Sequence, residues 1–284
     1  MTTPSHDAGA GAFGRNLTLR IASAAVLVPV ALLFAYVGGW PFLILCALCA
    51  SGILWEWARL VTDGSDPRIL VPGWAALLAA LVSTGTNRPG LAIAAVAIGA
   101  GFAGMAEATR SSARPGWAGG GVIYAGVAFL GPALLRRDGE LGLSAFLFLA
   151  VTVWMTDIVA YLVGRGVGGP LLWPPVSPKK TWSGALGGLA GGVVGGTLVA
   201  YASGVGGLGA AIVALGLSAL SQAGDLFESA VKRRFGAKDT GRLIPGHGGL
   251  MDRLDSFVVA ALAAVVIGIL HEGTHAPARG LLVW

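Results

Sequence analysis

Long apolar runs, each near twenty residues and separated by short polar breaks, set the pattern of this chain. A helix needs about 20 mostly apolar residues to cross the ~30 Å hydrocarbon core of a bilayer. Nine segments meet that length, at about 18–38, 41–60, 70–86, 89–106, 117–135, 141–163, 184–203, 206–224 and 255–271. The pattern predicts an all-α integral membrane protein with about nine transmembrane helices. No long polar stretch divides these runs, so one integrated membrane domain is expected. Within it, residues 17–140 supply N-terminal helices with little chemistry, and 141–284 form the region where candidate chemistry collects. Residues 1–16 are polar, Gly- and Ala-rich, and read as a disordered tail. The first apolar run is too long for a cleaved signal and lacks a convincing cleavage site.

Composition supports the membrane reading. The chain has 284 residues, of which 55% are hydrophobic and 12% charged. Soluble domains carry roughly 25% charged residues. Mean hydropathy is +0.76. With nine spans and a cytoplasmic N-terminus, fifteen of the 19 Lys and Arg residues fall in cytoplasmic segments and four outside. That bias follows the positive-inside rule. It weakens to six against four when the loops after the sixth and eighth segments are set aside. The pI near 9.6 suits an anionic membrane surface or anionic substrate better than nucleic acid.

Several motifs reduce to packing or chance. Cys46 and Cys49 form a C-x-x-C inside an apolar helix, where they read as small packing residues. Asn16-Leu17-Thr18 matches a glycosylation sequon on a tail expected in the cytoplasm. Gly164, Gly166 and Gly169 match G-x-G-x-x-G but follow a membrane helix and precede prolines, which excludes a dinucleotide fold. In the seventh run, Gly187, Gly191 and Gly195 form one row at helical spacing, and Gly188, Gly192 and Gly196 a second. Such rows allow close helix packing. Glu56 and Arg59 lie one turn apart near the end of the second run and read as a pair at the interface.

Acids beside the membrane carry more information, because charge there is costly. Asp157 lies within the sixth run. Asp225 ends the eighth run and Glu228 follows one turn later; Asp252 and Asp255 open the ninth. The eighth and ninth helices are antiparallel neighbours, so these acids can meet at one face. Converging carboxylates repel unless protonated or bridged, and a hard divalent cation such as Mg²⁺ resolves this in phosphate chemistry. The alternative is pairing with basic neighbours, such as Glu228 with Lys232 or Asp252 with Arg253. Two basic segments, Ser177-Pro178-Lys179-Lys180-Thr181 and the loop holding Lys232, Arg233, Lys238 and Arg242, face the same side and can clamp phosphates. The alternative there is a juxtamembrane patch on anionic lipid. In the turn Pro245-Gly246-His247-Gly248-Gly249, glycines let backbone approach a ligand, and His247 either touches that ligand or serves the turn. No Ser-His-Asp arrangement is evident, which argues against covalent hydrolysis.

The stretch Ser229-x-x-Lys232-Arg233, Lys238-Asp239 and Pro245-x-His247-Gly248-Gly249-x-x-Asp252-Arg253-x-Asp255 resembles the signature of phosphatidate cytidylyltransferases, the CDP-diacylglycerol synthases. Gly224-Asp225-Leu226-x-Glu228-Ser229 is also similar to that family, as are Asp157-x-x-Ala160-Tyr161-x-x-Gly164-Arg165 and Ser177-Pro178-Lys179-Lys180-Thr181-Trp182. The resemblance spans about 145–270; the earlier helices match only in being apolar. One position departs. The family usually continues Lys-Thr-Trp with Glu-Gly, and here Ser183-Gly184 follows.

The resemblance implies transfer of the cytidylyl group of CTP to phosphatidate, giving CDP-diacylglycerol and pyrophosphate for phospholipid biosynthesis. It implies Mg²⁺ on Asp225 and Asp252, with Asp157, Glu228 and Asp255 as further ligands and a second cation at the same cluster. Asp225, Asp252, Lys232, Lys238 and Asp239 are the expected catalytic residues. Ser177, Lys179, Lys180, Thr181, Ser229, Arg233, His247, Gly248, Gly249 and Arg253 are expected to bind substrate and phosphate. A multi-pass protein of a bacterial plasma membrane follows, with the site at the cytoplasmic interface among membrane lipids, and a homodimer is implied. Competing readings are a CTP-dependent enzyme on another lipid phosphate or polyprenol, an ion-coupled transporter, and a lipid-binding scaffold. The charges gather at one face rather than the midplane, which disfavours the transporter.

Overall fold

The computed structural model describes residues 25–62, 64–110, 116–241, 243 and 248–284. The tail, the start of the first apolar run, Arg242 and the Pro245-Gly246-His247 segment lie outside the described residues. Ten helices and one hairpin follow in order: α1 (Ala25–Val37), α2 (Gly39–Thr62), α3 (Pro67–Gly85), α4 (Pro89–Ala108), α5 (Trp117–Arg136), α6 (Gly142–Val167), β1 (Leu171–Trp173), β2 (Ser177–Thr181), α7 (Trp182–Ala202), α8 (Leu208–Arg234), α9 (Met251–Glu272) and α10 (Pro277–Leu282). Among the described residues, eight helices, α2 to α9, are long and apolar enough to cross a membrane, and α1 is shorter. Large side chains such as Leu78, Leu186, Leu198, Ile212 and Leu270 stand exposed around the bundle. Such a surface would aggregate in water and suits lipid. The chain is a multi-pass membrane protein.

Short-range chemistry sets several helix starts. Pro67, Pro89 and Pro277 open α3, α4 and α10, where a missing N–H costs nothing. Asp66 caps α3 by accepting from the Arg68 N–H at 2.9 Å. The Arg68 side chain and Arg110 also pair with Asp66, and these bonds hold its carboxyl below the usual range. Thr181 caps α7, accepting from the Gly184 N–H at 3.1 Å.

Two buried clusters form the core. One lies among α2, α3, α4 and α5. The other joins α6, α8, α9 and α10 with the end of α5. An aromatic stack ties α2, α5 and α8 together: Trp57 lies 5.2 Å from Tyr124 and 6.5 Å from Phe227, and its Nε1 donates to the Trp117 carbonyl at 2.8 Å. The glycine rows of α7 do pack as their spacing implies. A side chain at Gly187, Gly191 or Gly195 would run into Val163, Val159 or Met155 of α6. A Cβ at Gly192 would lie 2.4 Å from Thr156 Oγ1 and 2.7 Å from Ser218 Oγ, and those two hydroxyls bond at 2.7 Å between α6 and α8. Gly192→Leu is therefore expected to force α7 off both neighbours and to lower the thermal unfolding temperature of the detergent-solubilised protein by roughly 5–10 °C. Unchanged unfolding would show that the three helices are not in contact there. Overpacking a core typically costs about 1–3 kcal/mol, and here polar partners are lost as well.

The structure departs from the hydropathy pattern at the site. The eighth helix does not end at 224 but runs to Arg234, and the ninth begins at Met251 rather than 255. Hydropathy ends an element where charge begins, but these charged turns remain helical because their side chains find partners. The loop before α7 is not plain coil: β1 and β2 pair antiparallel, Leu171 with Thr181 and Trp173 with Ser177. The short α10, with Trp284 stacked 4.1 Å from His271, is a further element with no apolar run to announce it.

Candidate active site

The C-terminal end of α6, the β1–β2 hairpin, the end of α8 and the start of α9 enclose a cavity of about 790 Å³. Three close approaches bring these elements together. Gly224 lets α8 touch α9, since a Cβ there would lie 2.8 Å from the Asp255 carbonyl oxygen. Gly164 and Gly184 let α6 meet the start of α7, where a Cβ on Gly184 would lie 2.8 Å from the Ala160 carbonyl oxygen. Ser183 closes the same corner by donating to the Gly168 carbonyl and bonding Thr181 Oγ1 at 3.0 Å. The hydroxyl that stands where the resemblance leads one to expect Glu thus serves as a latch between α6 and α7.

The lining carries acids and bases together. Asp157, Asp225, Asp239, Asp252 and Asp255 face it, as do Arg165, Lys179, Lys180, Lys232 and Arg253, with Thr181, Tyr161, Gln222 and Ser256 between them. Lys180 Nζ lies 2.5 Å from Asp225 Oδ2. Lys232 Nζ sits between two acids, 2.7 Å from Asp252 Oδ1 and 2.5 Å from Glu228 Oε2. Glu228 Oε2 thus has the Lys232 ammonium as its partner, whereas Glu228 Oε1 is buried without a hydrogen-bond partner among the described residues. Ser256 Oγ reaches Asp157 Oδ2 at 3.3 Å and Asp255 Oδ1 at 3.2 Å. Ser229 Oγ approaches Asp225 Oδ1 at 3.4 Å.

Asp252 is fully engaged. Beside Lys232 on Oδ1, its Oδ2 accepts from the Thr240 N–H, the Thr240 hydroxyl and the Gly249 N–H, each at 3.0 Å. Gly249 and Gly248 therefore close on Asp252 itself. A Cβ on Gly249 would lie 2.1 Å from Thr240 Oγ1, and Gly248 has φ +91°. Among the described residues, no three His, Cys, Asp or Glu side chains stand close enough to hold a metal ion as they are. The donor chemistry nonetheless fits a hard cation. The set is all carboxylate oxygen, and Glu228 Oε1 is buried without a hydrogen-bond partner among the described residues.

Not every expected residue reaches the cavity. Glu228 is fully buried behind it. Ser177, Ser229, Lys238, Gly248 and Gly249 lie outside its lining. Arg233 donates to the Ala237 carbonyl at 3.2 Å, at the end of α8. His247 lies outside the described residues. The expected pairing of Glu56 with Arg59 is absent. Arg59 stacks over Trp55 at 4.6 Å, and Glu56 turns inward to α9. Thr240 and Ser256 escaped sequence reasoning as well. Their adjacency to Asp239 and Asp255 was the only signal, since a hydroxyl has no hydropathy signature.

Fold and cavity together define a membrane-embedded protein with a polyvalent acid–base site at one end of its bundle. The family model for the cytidylyltransferase family matches residues 18–270. A phosphatidate cytidylyltransferase of Brucella suis (biovar 1, strain 1330) is 42% identical over 265 residues, covering 92% of this chain and 97% of the relative. A phosphatidate cytidylyltransferase of Bacillus subtilis (strain 168) is 32% identical over 257 residues, covering 86% and 94%. The chain belongs to the cytidylyltransferase family.

Proposed function

We propose that this protein transfers the cytidylyl group of CTP to phosphatidate, releasing CDP-diacylglycerol and pyrophosphate. The observation that carries the reading is the cavity where Lys180–Asp225 and Lys232–Asp252 pairs face one another at the end of an apolar bundle. A phosphate oxygen of phosphatidate attacks the α-phosphorus of CTP. The bond from that phosphorus to the bridging oxygen breaks, and pyrophosphate leaves with the electron pair. The attacking phosphate is already anionic, so the protein has to position two anions and offset their charge.

Lys180 is the best-placed cation for this. Its ammonium is partly exposed to the cavity and held by one carboxylate, so it can turn from Asp225 to a phosphate oxygen. Arg165, Lys179 and Arg253 line the same space. Lys232 is more enclosed and holds Asp252 in orientation. Mg²⁺, which would draw on Asp225 and Asp252 with Asp157, Glu228 and Asp255 nearby, would supply charge neutralisation for the triphosphate. A second cation would draw on the same acids. The distribution of Lys and Arg supports a cytoplasmic N-terminus and a cytoplasmic site, and the bacterial relatives support a plasma-membrane location. The acyl chains of the substrate then stay among the lipids that surround the bundle.

Purified protein incubated with radiolabelled CTP, phosphatidate vesicles and Mg²⁺ is expected to yield a labelled lipid and one pyrophosphate per turnover, both abolished by chelator. Release of CDP in place of pyrophosphate, or labelling only of a polyprenyl or archaeol-type phosphate, would overturn the reading.

A further inference from the structure

Glu56 is fully buried on α2, in the half of the chain that contributes no lining residue to the cavity. Its carboxylate crosses to the start of α9, 194 residues away in sequence. There Oε1 accepts from the Leu250 N–H at 3.0 Å and Oε2 from the Met251 N–H at 2.8 Å. These are N–H groups at a helix start, which have no intrahelical acceptor and favour a negative charge. Oε2 also lies 3.2 Å from the Thr240 hydroxyl, which stands 3.0 Å from Asp252 Oδ2. Thr240 has a single hydroxyl proton, so one donor is shared between the two carboxylates. The surrounding backbone closes on the group. A Cβ on Gly241 would lie 2.4 Å from Glu56 Oε1, and one on Gly249 would lie 2.8 Å from Glu56 Oε2 and 2.8 Å from Asp252 Oδ2.

We propose that Glu56 is a positioning residue: it clamps Thr240 and the first turn of α9 so that Asp252 keeps one oxygen turned to Lys232 in the cavity. Glu56 does not line the cavity and touches no reacting atom. It acts through Asp252. Without its charge, the Thr240 hydroxyl and the Leu250 and Met251 N–H groups lose a buried acceptor. Thr240 and the start of α9 then lose their anchor to α2, and Asp252 loses its fixed rotamer. Misplacing a reacting group by about 1 Å can cost about 100-fold in rate.

The proposal rests on the cytidylyl-transfer reading for its kinetic arm, and a second arm is independent of it. Glu56→Gln keeps size and one acceptor oxygen but sets an NH₂ against the donors. It is expected to lower kcat by about 100-fold with KM for CTP and phosphatidate within about threefold, the split of a group that shapes the reacting geometry rather than binding. Combined with Asp252→Asn it should cost no more than Asp252→Asn alone, because both changes act through one carboxylate. Glu56→Asp, which keeps the charge on a shorter arm, should recover part of the loss. Independently, trypsin should cut after Lys238 faster in Glu56→Gln than in the unaltered protein, with no substrate present. If Glu56→Gln fails to fold, Thr240→Val, which removes only the shared hydroxyl, carries the same tests. Unchanged kcat in a folded variant, or losses that multiply with Asp252→Asn, would overturn the proposal. If the unaltered protein makes no CTP-derived lipid, the functional reading falls. The rate of trypsin cleavage then decides the clamp by itself, and equal rates in the two proteins would overturn it.

Discussion

Asp252→Asn is expected to reduce cytidylyl transfer by a factor of about 100 to 1,000 while the protein still inserts and folds. The magnitude is that of removing one preorganised charge-bearing partner from a site. The reason is specific. An Asn of the same shape can keep its oxygen toward the Thr240 N–H, Thr240 hydroxyl and Gly249 N–H, but its NH₂ then faces Lys232 Nζ, where Asp252 Oδ1 now accepts at 2.7 Å. Two donors meet head-on and Lys232 swings toward Glu228. Breaking a buried pair by removing one partner typically costs about 3–5 kcal/mol. Lys232 keeps Glu228 as a counter-charge, so the stability cost should fall below that range. Initial rates of labelled lipid formation, read beside thermal unfolding, separate the two effects. Full activity in this variant with Mg²⁺ would remove Asp252 from the site.

The second large effect is expected at the Lys180–Asp225 pair, where the two partners should move the cation requirement in opposite directions. Both side chains are about 30% exposed to the cavity, at 28% and 30%. Lys180→Met deletes the ammonium nearest Asp225 and should cost about 100- to 1,000-fold in transfer through loss of a phosphate partner. It also releases Asp225, so the Mg²⁺ concentration for half-maximal rate should fall. Asp225→Asn should cost a similar factor in rate and raise that concentration, because a hard cation loses an anionic oxygen. Titrating Mg²⁺ against the rate of each variant gives both numbers. Shifts in the same direction for the two variants would mean that Asp225 serves Lys180 rather than a cation.

Much of the fold was legible because lipid imposes a simple rule on length and apolarity, and six of the expected spans, α2 to α7, stand within a few residues of their apolar runs, while α8 and α9 extend past theirs. Glycine rows were equally legible, since spacing of four defines a helix face whatever it packs against. Ends were not. The last ten residues of α8 carry Asp225, Glu228 and Lys232, and nothing in a hydropathy profile distinguishes a charged turn with partners from a loop. The main members of the site, Asp225, Asp252, Lys180 and Lys232, were visible as charges out of place in a greasy chain. How they are partnered was not. Lys232 had two acids within reach of its arm and forms an ion pair with each. Asp252 was read as a cation ligand, and nothing in the sequence showed that it also accepts from Thr240 and Gly249. Glu56 was seen but given the wrong partner, because its neighbours in sequence offer Arg59, while its bonds go to the start of α9 at a distance no local pattern encodes.

The length of α8 has a kinetic consequence. Its 27 residues make a rod of about 40 Å at 1.5 Å per residue, roughly 10 Å more than the hydrocarbon core it crosses. If the apolar part of α8 fills that core, the surplus of about two turns, which carries Glu228 and Lys232, falls in the layer of lipid phosphates. A lipid phosphate at that depth meets the site by lateral diffusion and never has to be drawn out of its leaflet. Turnover should then follow the mole fraction of the anionic lipid in the membrane surface. Diluting it with neutral lipid would slow the reaction, even at constant bulk concentration.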